Sequence, residues 1–240
     1  MTPTLGIFRQ ALQTPDLSLA TLTEARAATG ADGMPRLMRT TRFAEAEISW
    51  HGAHWLLFMP LSPAALAAVE RTASQIARLN TELLAEYRIL PDELRWIDAS
   101  GVPRATSLIR QRLPEGRTFD EALLTVPAER LAEALGELRD GLGKLGFSHN
   151  NLRSENLRWT GTRFVPLRYH DARFGTPDND DAAFEALLER IRLSAGTETL
   201  SDAAASYTAL PRFDGHRWVS HTFEGLVCVE DEGGYGFVDT

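Results

Sequence analysis

The pattern of the chain changes at residues 113–116 (LPEG), and this change constrains the fold more than any other feature. Ahead of it, alternating and compact apolar runs predict strands around one long helix. Behind it, apolar residues recur mainly at helical spacing. Proline and glycine at the junction favour a linker over continued regular structure. The sequence therefore predicts an α+β fold in two parts, joined by a short connection.

Residues 1–113 form the strand-rich first part. Residues 44–50 alternate between apolar and polar side chains, and a compact apolar run follows a short turn, which together are typical of a hairpin. Ser62 followed by Pro63 is typical of a helix start. The predicted elements, in order, are a short helix at 16–29, a hairpin at 44–59, a long helix at 62–86 and strands at 87–90, 94–97 and 105–113.

Residues 114–195 are predicted to be mostly helical. Thr118 caps a short helix, Pro127 opens a longer one, and Asp180 caps an apolar helix that ends near residue 193. A hairpin is predicted between the last two helices, at 157–159 and 164–169. Residues 196–240 form the third predicted part. A connector is predicted at about 195–210, and short strands with tight turns at 211–240.

Composition excludes several classes of protein. A formal net charge of −8 and a pI near 5.3 disfavour nucleic acid as a partner, because such binding normally needs a concentrated basic face. Cys228 is the only cysteine, so neither an intramolecular disulfide nor a four-thiolate metal site is possible. Residues 1–12 lack the pattern of a signal peptide, and no apolar stretch approaches the ~20 residues of a membrane span. These features predict a cytoplasmic protein without a membrane partner.

Residues 147–157 (FSHNNLRSENL) resemble the catalytic loop of protein kinases and their small-molecule kinase relatives. The family pattern is His-x-Asp-Leu-x-x-x-Asn followed by a strand, and this chain matches it at His149, Leu152 and Asn156. The predicted order of elements also agrees with that family. The resemblance implies a two-lobed kinase-like fold over about residues 40–195, with a reduced helical C-lobe and a C-terminal β-hairpin tail. It also implies a structural role for His149, and for Asp180 or Asp181 in pinning the loop backbone.

Three groups that an active member of the family needs are missing. The catalytic aspartate is replaced by Asn151, whose amide accepts a hydrogen bond but takes no proton at neutral pH. The third-strand lysine is absent, because Lys144 is the only lysine and lies on a helix beside the loop. The turn before that strand has one glycine, Gly52, which is too few for a phosphate-binding loop. The resemblance therefore implies a pseudokinase.

A metal site is the point that the sequence leaves open. In the family, the metal-binding aspartate lies about thirteen residues after Asn156, which here is Tyr169. Asp171 lies two residues further on, so a bulge in the chain would let Asp171 and Asn156 hold magnesium and ATP together. Without that shift, no cofactor is expected.

The tail carries a second resemblance. Residues 223–229 (FEGLVCV) and 234–239 (GYGFVD) are similar to one unit of the WG repeat, with Gly234 in place of the preferred lysine and Tyr235 in place of tryptophan. Such repeats usually occur in arrays, because a lone hairpin is marginally stable in water. The chain is therefore expected to be the front part of a longer protein, or to pack this segment against the preceding part.

These observations predict a catalytically inactive kinase-like domain that binds or scaffolds a protein partner. One alternative is an atypical ATP-dependent phosphotransferase that uses Asp171 and Asn156 for metal. Another is a pure interaction module whose cleft is filled by side chains such as Arg110, Arg112 or Tyr169.

Overall fold

A computed structural model of the chain describes residues 2–79, 81–175 and 180–206 together with four terminal strands, and describes side chains as far as residue 194. The protein has an α+β fold with antiparallel sheets and six α-helices among these residues. The predicted fold class is thus confirmed at this level.

The first part is built on an antiparallel sheet in the order β1-β3-β4-β6-β5, with β2 also paired to β3. The predicted hairpin is present, with Glu45 opposite Phe58 in the register of its two strands. A bulge interrupts the pairing of β5 with β6 between Leu90 and Leu94. The bounds are β1 Arg26–Ala27, β2 Leu37–Arg39, β3 Phe43–Trp50, β4 Ala53–Pro60, β5 Tyr87–Ile97 and β6 Pro103–Arg112.

Helices cover both faces of this sheet. Helix α3, Pro63–Ile76, packs on one face, and Val69 lies in the core that it forms with the second part of the chain. Helices α1, Leu5–Gln13, and α2, Pro15–Ser18, lie in sequence ahead of the sheet, and α1 places Phe8 in the core on the opposite face. Burial from both sides explains why β4 is continuously apolar over residues 55–60 instead of alternating.

The helix predicted at 16–29 is wrong beyond its first turn. A buried carboxylate competes for the backbone of this segment: Oε1 of Glu93 accepts hydrogen bonds from the backbone N–H groups of Thr21 and Leu22, both at 2.9 Å. These N–H groups are therefore not available to a helix. The predicted helix at 62–86 ends ten residues early, and the buried Ala85 N–H donates to the Tyr169 hydroxyl.

The second part follows the linker and contains the predicted helices. Thr118 caps α4 in a full capping box with Glu121. The helix predicted to end near residue 193 continues through residue 206, so the connector predicted at 195–210 is wrong over its first twelve residues. The bounds are β7 Arg117–Thr118, α4 Phe119–Leu123, α5 Ala128–Leu145, β8 Phe147–Ser148, β9 Leu157–Trp159, β10 Phe164–Pro166, β11 Arg173–Phe174 and α6 Asp181–Ser206.

Short strands form the end of the chain, as the sequence predicts. They form one antiparallel sheet in the order β12-β13-β14-β15, in which Leu226 pairs with Asp239. The bounds are β12 Arg212–Phe213, β13 His216–Phe223, β14 Leu226–Asp231 and β15 Gly234–Asp239. Within the described part of the chain, no helix has the length and apolar character that crossing a bilayer requires.

Candidate functional site

The loop at 147–157 is held by a carboxylate from the start of α6. The two oxygens of Asp180 accept hydrogen bonds from the backbone N–H groups of His149 and Asn150, the second at 2.8 Å. Asp180 is buried, so these charge-assisted hydrogen bonds fix the loop backbone strongly. Asp181 lies outside this arrangement, because it is exposed and forms an ion pair with Arg139 on the surface.

Two buried polar side chains tie the loop to its surroundings. The His149 ring is fully buried, and its Nε2 donates to the Leu167 carbonyl at 2.8 Å. The Asn156 amide donates to the Asn151 carbonyl at 2.7 Å. The Asn151 carboxamide itself is half-buried and makes no hydrogen bond to the residues that the structure describes. His149 and Asn156 thus shape the loop, and Asn151 presents an amide at its tip.

Residues 168–172, which we term the bridging segment, contact the first part of the chain at every position. The Tyr169 hydroxyl accepts from the Ala85 N–H at 2.9 Å, and the Ala172 carbonyl accepts from the Thr72 hydroxyl at 2.8 Å. Asp171 forms an ion pair with Arg42. Arg168 and His170, described below, complete the set, so the segment joins the two parts of the molecule.

Arg168 forms the central contact of this junction. Its Nε and Nη2 atoms donate to the two carboxylate oxygens of Glu45, at 2.7 and 2.6 Å. Its Nη1 atom donates to the Glu155 carbonyl at 2.7 Å and lies 3.4 Å from Oδ1 of Asn156. The Glu45 side chain is 7% exposed and that of Arg168 20%, so this bidentate pair is largely removed from water.

The backbone of Arg168 is also constrained. Its φ is +62°, in the left-handed region that non-glycine residues seldom adopt. The Arg168 N–H donates to the side-chain oxygen of Gln111, a fully buried residue of β6, at 2.7 Å. A strained conformation held by a buried partner indicates that the direction of the Arg168 side chain is fixed by the fold.

A cavity of about 360 Å³ lies between the sheet and the second part of the chain, beside this ion pair. Arg168 and Glu45 form one wall, and Leu56, Leu113 and Leu157 contribute apolar surface. Its rim also carries Arg36, Met38, Glu47, Glu155 and Arg158. The cavity therefore combines apolar walls with balanced charges of both signs.

The two residues predicted to share a metal, Asn156 and Asp171, have separate cationic partners. Oδ1 of Asn156 faces the Arg168 guanidinium, and the Asp171 carboxylate pairs with Arg42. Tyr169 occupies the position thirteen residues after Asn156, where the resemblance expects the metal-binding aspartate. It is buried and donates its hydroxyl proton to the Pro166 carbonyl. No group of three or more His, Cys, Asp or Glu side chains placed to hold a metal is found among the described residues.

The arginines predicted to fill the cleft lie elsewhere. The Arg110 guanidinium lies 4.1 Å from the centre of the Trp55 ring, and the Arg112 guanidinium lies 5.0 Å from it. Trp55 belongs to the core on the face covered by α1, away from the cavity. Phe58, on the other face of β4, lies opposite Glu45.

The bridging segment includes a histidine in an aromatic environment. The His170 ring stacks on Phe43 with 4.0 Å between ring centres and meets Phe58 edge-on at 4.4 Å. The Tyr87 hydroxyl lies 3.2 Å from Nδ1 of His170. Burial, together with the nearby positive charges of Arg42 and Arg168, lowers the pKa of His170 to about 3. Burial also lowers the pKa of His149.

We expect the free energy of unfolding to fall as the pH is lowered below about 6.5. The unfolded chain binds a proton at His170 near pH 6.5, whereas the folded chain does not until near pH 3, so acid favours the unfolded state between these values. Between pH 7.5 and 5.5 this one residue should cost about 1.4 kcal/mol. Urea unfolding at the two pH values measures the difference.

Two variants identify the origin of this pH dependence. His170→Phe preserves the stacking position against Phe43 and should reduce the difference between the two pH values by the contribution of His170, about 1.4 kcal/mol, leaving that of the buried His149. His54→Gln changes an exposed histidine and should leave the difference as in the wild type. Equal stability of the wild type at both pH values would contradict the assignment.

The sequence did not identify Arg168, Glu45 or Gln111. Glu45 lies in an alternating run, which favours a solvent-facing position, but the second part of the chain covers that side of the sheet. Its partner is separated from it by 123 residues, beyond the reach of any local pattern. No family model matches the chain, and a search of curated proteins found none with significant similarity.

Proposed function

We propose that this protein is a catalytically silent, kinase-like binding domain in which an internal ion pair takes the place of the metal and phosphate contacts. The observation that carries the proposal is the Arg168–Glu45 pair next to Asn156. A fixed guanidinium repels a divalent cation at short range. Magnesium held by Asn156 would have to displace Arg168 and leave Glu45 without its partner.

The arrangement of elements supports a kinase-like ancestry. A sheet with one long helix between β4 and β5 precedes the linker, and a helix leads into a polar loop followed by a short hairpin. The Asp180 carboxylate binds the loop backbone in the manner that the family resemblance implies. On this proposal, the 360 Å³ cavity corresponds to the cleft between two lobes.

The chemistry of the cleft residues supports the absence of phosphoryl transfer. Such transfer depends almost entirely on positioning and on positive charge at the phosphates. Asn151 takes no proton at neutral pH, β4 carries no lysine, and the one lysine of the sequence, Lys144, lies in the last turn of α5. The positive charge of Arg168 is already neutralised by a carboxylate.

We expect no stabilisation of the wild-type protein by ATP and magnesium, and no turnover of ATP. Thermal and urea unfolding with and without 5 mM nucleotide measure binding, since a ligand at 100 times its Kd would add about 2.7 kcal/mol. A sensitive assay of ADP formation measures turnover.

A matched variant tests the phosphotransferase alternative. Asp171→Asn removes the only carboxylate that the sequence offered for metal binding beside Asn156. Turnover by the wild type that is lost in Asp171→Asn would overturn the proposal and favour the enzyme. A shift of the unfolding midpoint that requires both ATP and magnesium would overturn the ion-pair argument as well.

We further propose a protein as the partner of this domain, and a WG-type unit at residues 223–239. Three successive antiparallel strands, His216–Phe223, Leu226–Asp231 and Gly234–Asp239, support the second point, because the resembling pattern describes strands separated by short turns. A strand-rich tail and a silent cleft together favour a scaffolding role.

A further inference from the structure

A second cavity, of about 380 Å³, lies next to the linker and outside the cleft. Its walls come from three places in the second part of the chain: the end of the linker at Gly116 and Arg117, the α4–α5 connection at residues 125–127, and the β9–β10 turn at Trp159, Thr160 and Gly161. Arg130, in the first turns of α5, also lines it. Its volume is within the range of small-molecule sites.

The walls of this cavity carry one sign of charge. Arg117 and Arg130 line it, and no acidic side chain does so among the residues that the structure describes. Neither arginine has a carboxylate within ion-pair distance in that part of the chain, whereas Arg42, Arg139 and Arg168 do. The Glu121 carboxylate, whose pKa is lowered by its hydrogen bonds from Thr118 and to a smaller extent by the charge of Arg117, does not line the cavity. In a chain of net charge −8, two arginines outside any ion pair of the described residues form a local positive site in one cavity.

Each guanidinium is oriented by a neutral acceptor. Nη1 of Arg117 donates to the Thr125 hydroxyl at 2.7 Å, and that hydroxyl donates to the Glu121 carbonyl at 2.8 Å. Nη2 of Arg130 donates to the Gly161 carbonyl at 2.9 Å. One donor of each group is used in this way, and the remaining N–H donors are available to a ligand.

We propose that this cavity binds a phosphomonoester. Two guanidinium groups with free donors match a dianion with three oxygens, whereas a lone carboxylate is satisfied by one arginine. Val126 and Pro127 supply apolar surface for the organic part of the ligand. The phosphate belongs to a small metabolite or to a phosphorylated side chain of a protein, and both present the same chemistry to Arg117 and Arg130.

Calorimetric titration with O-phospho-L-serine and with inorganic phosphate tests the proposal, with L-serine as the unphosphorylated counterpart. Serine lacks the phosphate but keeps the same α-carboxylate and α-ammonium groups, so we expect Kd below about 1 mM for phosphoserine and at least tenfold weaker binding of serine. The variant Arg117→Gln/Arg130→Gln should weaken the binding of phosphoserine at least tenfold. Arg71→Gln, which changes an exposed arginine on α3 outside the cavity, should bind as the wild type does.

A nine-residue phosphoserine peptide and its unphosphorylated form identify the source of the phosphate. Tenfold tighter binding of the phosphopeptide than of phosphoserine supports a protein ligand, and equal or weaker binding supports a small metabolite. Unchanged affinity in the Arg117→Gln/Arg130→Gln variant, or no binding of any phosphate compound at 10 mM, would overturn the proposal. Circular dichroism of that variant establishes that it is folded.

Discussion

Replacing Arg168 by alanine should lower the free energy of unfolding by about 3–5 kcal/mol. The substitution leaves the buried Glu45 carboxylate without the two hydrogen bonds that compensate its removal from water. It also removes the contact with the Glu155 carbonyl. Urea unfolding at pH 7.5 measures the loss.

Two further variants test whether the loss comes from an unpaired buried charge. Arg168→Met combined with Glu45→Leu removes both charges, and it should recover most of the lost stability, because a buried pair replaced by apolar residues is often neutral. Arg192→Ala breaks an exposed pair with Glu189 and should cost at most about 1 kcal/mol. A loss below about 1 kcal/mol for Arg168→Ala would show that Glu45 is not held as described.

Replacing Gly116 by alanine should cost at least about 3 kcal/mol. Gly116 has φ +137°, and a Cβ atom there would overlap the Trp159 carbonyl oxygen and approach the backbone of Thr160. The overlap involves backbone that is already paired, since Arg117 lies opposite Trp159 in the β7–β9 ladder. A shift of either strand would therefore disturb the linker itself.

Two other glycines serve as controls. Gly101 also has a positive φ, +76°, but open space surrounds its Cβ position, so Gly101→Ala should cost about 1 kcal/mol. Gly136 lies within α5 with no close neighbour, and Gly136→Ala should stabilise the protein by about 0.5–1 kcal/mol. If Gly116→Ala loses no more stability than Gly101→Ala, the backbone at Trp159 can move away from the added Cβ atom, and the prediction is wrong. Where Gly116→Ala does not fold, the soluble fraction on expression replaces the unfolding curve.

Most of the secondary structure could be predicted because its causes are local. The hairpin at 44–59, the capping box at Thr118 and the helix opened by Pro127 depend on spacing and on neighbouring residues. The error at residues 16–29 occurs where a distant group binds the backbone. Glu93 binds the N–H groups of residues 21 and 22 from a strand about seventy residues away.

The candidate site could be predicted only in part. The loop at 147–157 has a recognisable pattern, and the family resemblance implied a contact of Asp180 or Asp181 with the loop backbone, which Asp180 makes. The Arg168 guanidinium, which lies between the two parts of the chain, could not be predicted from a local pattern. The sequence predicted the metal-binding position at Tyr169 or Asp171. The cation beside Asn156 is instead the side chain of Arg168, the residue just before Tyr169.

The bridging segment has a consequence for how the two parts of the molecule move. Arg168, Tyr169, His170, Asp171 and Ala172 are each attached to a different residue of the first part of the chain. Because the five attachments are consecutive in the chain, separating the two parts of the molecule would require all five to break. On the proposed binding function, a partner therefore meets one fixed arrangement of the two parts.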